Sequence, residues 1–325
     1  MKYDLILIDV FNLYYRRKSH VAIQSTVAIT NNLIDYIENE LKPMLSTDGK
    51  LFLLFDPIAK DDLTVDSSFK YSTERKQLNA KYKENRKKDG LILQCVDTLR
   101  RYFLHQGPNV IECESYKYEA DDYVESIVKE FSDKKILMVT TDEDWSRFLS
   151  ENVHMMNRGP KDLFTVKEFQ EKYKFKPTIA SVTYFKALYG DGSDNIQGAL
   201  FQRKKKVLEP LKLYGFEFIK HIGETGEDLK TIEERTAKYS FKKLHELENM
   251  NPEEKFFYEV ESLGYKLPIK ESIQMNLRLI KTICEDYKKV AVSKEIDDKF
   301  TNIIKRSLNR PVDGEKKGFK FKLMK

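Results

Sequence analysis

Short apolar runs that each lead into a carboxylate constrain this chain more than any other feature. Asp9 follows YDLILI, Asp56 follows KLFLLF, and Asp142 and Asp144 come just after KKILMVT. Runs of that length without polar alternation read as strands buried on both faces of a parallel sheet. In an open α/β sheet the residues just past the carboxyl ends of the strands gather at one crevice. Acids far apart in sequence can therefore converge. Two further acidic groups join them: Glu119, Asp121 and Asp122 in YKYEADDYVESIV, and Asp191 and Asp194 in LYGDGSDNIQG.

The runs set out a coarse plan. Strands are expected at 3–8, 51–55, 109–113, 135–140 and 152–156, and helices at 25–41, 91–105, 119–131, 144–150 and 178–189. Their alternation predicts an α/β class with a mainly parallel central sheet flanked by helices. A capping-box pattern from Thr165 to Glu168 opens another short helix. Beyond about 200 the pattern is helical and rich in Lys and Glu. The chain divides into an α/β core over 1–160, with a basic segment near 66–90, and a helical region over 161–325 that includes a second basic stretch near 186–212.

Each acidic motif has an ordinary explanation when taken alone. Acids favour a helix's first turn, Asp is a good N-cap, and Asp and Gly are turn formers. The functional inference rests on their coincidence at five places. Glu119 and Asp122, three apart on a helix, share a face. Like charges crowded into one site cannot all stay ionised without a cation. An all-oxygen donor set selects a hard ion, Mg²⁺ or Mn²⁺, and a pair of such ions suits phosphodiester hydrolysis. The five histidines lack ligand spacing, which argues against zinc. No Ser-His-Asp or Cys-His arrangement and no Walker-type loop competes.

Charge points to the partner. The 57 Lys and Arg outnumber the 52 Asp and Glu by five. With several acids assigned to one cluster, the remaining surface is more basic than the total suggests, which suits a polyanion. The segment YSTERKQLNAKYKENRKKDG carries Lys83, Arg86 and Lys87 beside Tyr82, a composition that can follow a phosphate backbone and stack on unpaired bases. Arg203, Lys204, Lys205 and Lys206 follow the GDGSDN turn, and Arg16 follows Asp9 closely. Three dispersed cysteines predict a reducing, cytoplasmic compartment, and no apolar run approaches membrane-spanning length.

The motifs LILIDVFNLYYR, FLLFD, YKENR, YEADDYVESI, VTTDEDW and ALYGDGSDNIQG occur in order. Together they resemble the flap endonuclease/5′–3′ exonuclease family, which includes the nuclease domain of bacterial DNA polymerase I and standalone bacteriophage enzymes. The likeness is greatest to the bacteriophage group. It implies a structure-selective nuclease of replication or repair, acting on 5′ flaps, nicks, 5′ ends and RNA–DNA hybrids, with replication proteins as partners. By motif match, Asp9, Asp56, Glu119 and Asp121 hold the first metal with Asp122 close by. Asp142, Asp144, Asp191 and Asp194 hold or support the second, and Asp121 lies near both. Lys83 and Arg86 match basic residues at the base of a helical arch that steer the scissile phosphate; the resemblance makes the segment near 66–90 that arch and the stretch near 186–212 a helix–hairpin–helix-like DNA-binding segment. Three departures stand out. Val10 follows the first Asp, Glu143 lies between Asp142 and Asp144, and GALFQRKKKVL lacks the hairpin glycines that admit DNA phosphate, often beside a monovalent cation. A PIN-type ribonuclease and a catalytically weak DNA-structure-binding protein are the rival interpretations.

Overall fold

The computed structural model describes residues 1–57, 75, 78–82, 89–115, 118–157, 159, 162–200, 209–238, 251–262, 266–282 and 284–292. The five expected strands form: β1 (Tyr3–Asp9), β2 (Leu45–Leu54), β3 (Val110–Cys113), β4 (Ile136–Val139) and β5 (Val153–Met156). All neighbouring pairs among them are parallel. Two short strands extend the edges. β6 (Leu163–Phe164) joins β5, and a strand at Ala291–Val292 joins β3, each antiparallel. The order across the sheet is β6-β5-β4-β1-β2-β3 followed by the 291–292 strand. The chain thus moves outward from β1 through β2 to β3, then returns to the other side of β1 for β4 and β5. That reversal opens a crevice at the carboxyl ends of β1 and β4.

Side-chain alternation explains why the runs are apolar throughout. Ile6, Ile8, Leu51, Leu53, Leu137 and Val139 face one layer, and Leu5, Leu7, Phe52, Leu54, Ile136 and Met138 face the other. Both sets are buried, as a doubly covered sheet requires. The first face is covered by α1 (Val10–Lys18), α2 (Thr26–Tyr36) and α3 (Ile92–Leu104). In α3 the buried residues Ile92, Cys95, Val96, Leu99 and Phe103 recur at the spacing of one helical face. The helix expected at 25–41 ends in a π turn at Ile37–Leu41.

The second face carries α4 (Ala120–Glu130), α5 (Val166–Tyr173) and α6 (Ile179–Tyr189), followed by α7 (Glu209–Thr225), α8 (Leu229–Lys238), α9 (Pro252–Ser262) and α10 (Lys266–Ile280). The Thr165–Glu168 capping box forms as expected and opens α5. The segment expected as helix at 144–150 is a 3₁₀ turn, Glu143–Phe148, capped by Asp142. One apolar cluster runs from Leu7 and Phe52 on the sheet through Trp145 and Leu188 to Phe218, Phe256 and Leu277 in the later helices.

After α6 the chain makes a tight ribbon, β7 (Gly190–Asp191) and β8 (Ile196–Gln197). Glycine is required at both of its ends. Gly190 has φ +90°, and a Cβ at Gly198 would lie 2.3 Å from the Tyr189 carbonyl carbon. Lys83, Arg86, Lys87, Arg203, Lys204, Lys205 and Lys206 lie outside the described residues, as do most of the arch segment and the stretch lacking hairpin glycines.

Candidate metal centre

The crevice is a cleft of about 820 Å³. Its lining includes Asp9, Asp56, Asp121, Asp142 and Asp191, together with Asn12, Tyr15, Arg16, Thr141 and Lys186. Five of the nine expected acids thus reach one cavity from five segments. Asp9 ends β1 and caps α1 by accepting from the Asn12 amide at 3.0 Å. Thr140, just past β4, donates its hydroxyl to the other Asp9 oxygen at 3.1 Å. The Thr141 amide in turn donates to the Asn12 side chain at 3.0 Å. The ends of β1 and β4 are therefore fixed to one another. Asp56 accepts from the Ala120 amide at 3.0 Å, which ties the end of β2 to the start of α4. Asp142 accepts from the Asp144 amide at 3.0 Å.

Burial pushes the Asp9 carboxyl up to about 7, and the nearby charges of Asp56 and Asp142 push the same way. The hydrogen bonds from Asn12 and Thr140 offset only part of that rise. Two carboxylates some 4 Å apart repel by roughly 4 kcal/mol near a protein surface. A hard dication removes that repulsion, and the oxygen-only donors fit one. The donor set is of the all-oxygen kind that a hard dication takes.

A second group lies alongside. Asp144, Asp191 and Asp194 bring one carboxylate oxygen each within 4.8 Å of one another, and all three are buried. Asp191 accepts from the Ser193 amide at 2.9 Å and the Ser193 hydroxyl at 2.6 Å. Burial opposes its charge, but Lys186 and Ser193 hold its pKa down at about 2. The Lys186 ammonium lies 2.7 Å from Asp191 and also contacts Asp144.

Glu119 and Asp122 take a different place. Both are fully buried, and neither lines the cleft. They form a reciprocal capping box at the start of α4. Arg75, 2% exposed, sits between them, 3.1 Å from Glu119 and 2.7 Å from Asp122. Burial opposes the guanidinium charge, but Asp122 and Glu119 raise its pKa well above the usual arginine value. Tyr82 is 2% exposed, and its hydroxyl lies 3.0 Å from Glu119 and 3.3 Å from Asp194. The expected base-stacking face of Tyr82 is thus turned into the core, because its hydroxyl bridges two acids. Nearby, Asn195 donates to the Lys81 carbonyl at 3.0 Å, joining the residue before Tyr82 to the GDGSDN turn.

Residue patterns alone did not mark several of these side chains. None of Asn12, Thr140, Arg75, Arg147 and Lys186 was expected as a site residue, although Asn12, Thr140 and Arg75 lie inside segments that the sequence marks as functional. Arg147 is buried beside Asp144, at 3.2 Å, and donates to the Ile280 carbonyl at the end of α10. Tyr15, 46% exposed, is the most exposed of the aromatic residues that line the cleft, which include Tyr173 and Phe185. Arg16 lines the cleft as expected, whereas Arg17 donates to Asn32 and covers the Tyr36 ring.

Residues 4–174 match the family described as the 5′-3′ exonuclease, N-terminal resolvase-like domain. A 5′-3′ exonuclease of Aquifex aeolicus (strain VF5) is 26% identical over 267 residues, covering 80% of this chain and 88% of that protein. A DNA polymerase I of Caldicellulosiruptor bescii is 33% identical over 150 residues, 43% of this chain but 17% of that larger protein. Among solved structures, a bacteriophage T5 flap endonuclease in a complex with DNA and metal ions superposes with a TM-score of 0.54 at 18% identity. That match covers 94% of this chain and 99% of the other. At this identity the likeness concerns the fold. Among the described residues no helix is long and apolar enough to cross a membrane.

Proposed function

The chain belongs to the 5′-3′ exonuclease N-terminal, resolvase-like family, and on that premise we propose that it is a divalent-metal-dependent, structure-selective 5′ nuclease. It cuts 5′ flaps and degrades from 5′ ends in nicked or branched DNA, leaving 5′-phosphate and 3′-hydroxyl ends. RNA–DNA hybrids at primers are further substrates. A place in replication or repair, alongside replication proteins in the cytoplasm, follows from that activity. The observation that carries the proposal is the convergence of five carboxylates from separate segments on one cleft, with Asp9 buried among like charges.

In this proposal Asp9, Asp56, Asp121 and Asp142 hold one Mg²⁺ or Mn²⁺, and Asp144, Asp191 and Asp194 hold the other. Ions bound there polarise the phosphate, acidify water for in-line attack and stabilise the departing oxygen. Thr140 and Asn12 fix the direction of Asp9 and the β4 loop. Glu119 and Asp122 act from behind: with Arg75 they hold the first turn of α4, and so aim Asp121 into the cleft. Arg16 meets phosphate, and Tyr15 stacks on an unpaired base beside the scissile bond. Lys83 and Arg86 steer the scissile phosphate, while Lys87 and the run Arg203, Lys204, Lys205 and Lys206 grip the backbone; a monovalent cation at that second segment belongs to the same proposal.

The test is cleavage of an end-labelled 5′-flap duplex in Mg²⁺, with chelator and a linear single-stranded RNA as comparisons. Flap cutting that stops with chelator is expected, and Asp142→Asn is expected to abolish it while keeping flap affinity within about tenfold. An intact flap beside cut RNA would reject the flap nuclease in favour of a PIN-type ribonuclease.

A further inference from the structure

The second acidic group already contains a cation of its own. Lys186 stands in the last turn of α6, and the partners of its ammonium are two of the three clustered carboxylates, Asp191 and Asp144. It therefore sits against two of the three acids that would hold an ion. Arg147 contacts Asp144 from the buried side. Three carboxylates facing Lys186 and Arg147 leave one net negative charge. A dication added beside both would drive the group positive. A dication exchanged for Lys186 alone brings it to neutrality.

Two of the internal cations near the acids, Arg75 and Lys186, differ in how firmly they are held. Arg75 is 3% exposed at its side chain, forks onto Asp122 and Glu119, and also donates to the Lys281 carbonyl at 2.7 Å. Its planar fork has no second place to go. Lys186 is a point charge on a flexible four-carbon stem, and its side chain already borders the open cleft. It can leave the carboxylates without crossing the core.

We propose that Lys186 is a displaceable internal counter-ion that occupies the second metal position and is expelled into the cleft when a dication binds there. This rests on the metal-dependent function proposed above and adds a regulation to it. Without substrate, Lys186 competes with the second ion, so the resting protein loads one metal tightly and the other weakly. A phosphate in the cleft offers the expelled ammonium a new partner. Substrate and second metal then favour each other's binding by the same factor, as linkage requires. The protein thereby completes its metal pair on nucleic acid and stays partly loaded without it.

The experiment counts Mn²⁺ by calorimetric or spin-resonance titration of the full chain without nucleic acid. The wild type is expected to bind its second Mn²⁺ at least tenfold more weakly than Lys186→Met, which keeps the stem and removes the charge. Lys186→Arg, which keeps the charge, is expected to remain like the wild type. Equal second-site affinity in the wild type and Lys186→Met, or an Arg variant that behaves like Met, would overturn the counter-ion role while leaving the metal centre standing. Absence of Mn²⁺ binding in every protein would overturn both. Should Lys186→Met fail to fold, the wild type answers alone through amine acetylation read by peptide mass spectrometry. Lys186 is expected to be acetylated several-fold faster in saturating Mn²⁺ than in chelator, and an unchanged or slower rate would overturn the proposal.

Discussion

Asp9 caps a helix, accepts from Thr140 across the crevice, and is buried beside Asp56 and Asp142. Those roles set its response to pH. Between the ordinary carboxylate range and about pH 7, the folded site keeps a proton that the unfolded chain has released. Its contribution to stability therefore falls as pH rises through that window. A dication replaces the proton and reverses the loss. The rise in melting temperature on adding Mg²⁺ is accordingly expected to be larger at pH 8 than at pH 5.5. Equal rises, read by differential scanning fluorimetry, would count against an ion at Asp9. Tyr15 offers a second test at this scale, since it is the most exposed ring lining the cleft while Tyr82 is enclosed. Tyr15→Ala removes a stacking surface that is worth about 1–3 kcal/mol per base. A fall of roughly tenfold or more in kcat/KM on flap DNA is expected, with no change in the melting temperature of the free protein.

Two buried arginines tie the elements around the cleft together, in addition to the caps that open them. Arg75 joins the start of α4 to the end of α10 through Asp122 and the Lys281 carbonyl. Arg147 joins the 3₁₀ turn after β4 to the same helix end through the Ile280 carbonyl. The last turn of α10 thus supports both acidic groups through two guanidinium side chains. Removing one partner of a buried ion pair costs about 3–5 kcal/mol, because the remaining charge is left in a dry environment. Arg75→Met is expected to lose stability of that order in urea unfolding and to lose flap cleavage as α4 loosens. A loss below about 1 kcal/mol would show that Glu119 and Asp122 find other support. The basic segment is fastened at both described ends, by Arg75 on one side and on the other by Asp89, which accepts from Tyr14 and Lys18.

At the scale of the molecule, one face of the sheet and the later helices share an apolar cluster, and the strand Ala291–Val292 adds to the edge beside β3. Asn276 in α10 donates to the carbonyls of Ala187 and Gln197, at 2.9 and 2.8 Å, close to the GDGSDN turn. Contacts of that extent couple the unfolding of both halves. Scanning calorimetry is expected to give one transition, with intrinsic Trp145 fluorescence and far-ultraviolet dichroism changing together. Two resolved transitions would mean that the helices beyond α6 melt as a separate unit.

The strands, their parallel class and the gathering of Asp9, Asp56, Asp121, Asp142 and Asp191 were legible in the sequence. The reason is that burial on both faces demands unbroken apolar runs, and the chain direction of a parallel sheet puts their ends on one side. The edge strands at Leu163–Phe164 and Ala291–Val292 were not legible, because two residues carry no period. Nor was the split among the nine acids. A carboxylate that faces a cleft and one that faces a guanidinium look alike in sequence, and only packing brought Arg75 and Lys186 to theirs from 44 and five residues away from Glu119 and Asp191. Local chemistry set where the acids could collect; the three-dimensional fold decided which of them line the cleft and which meet a buried cation.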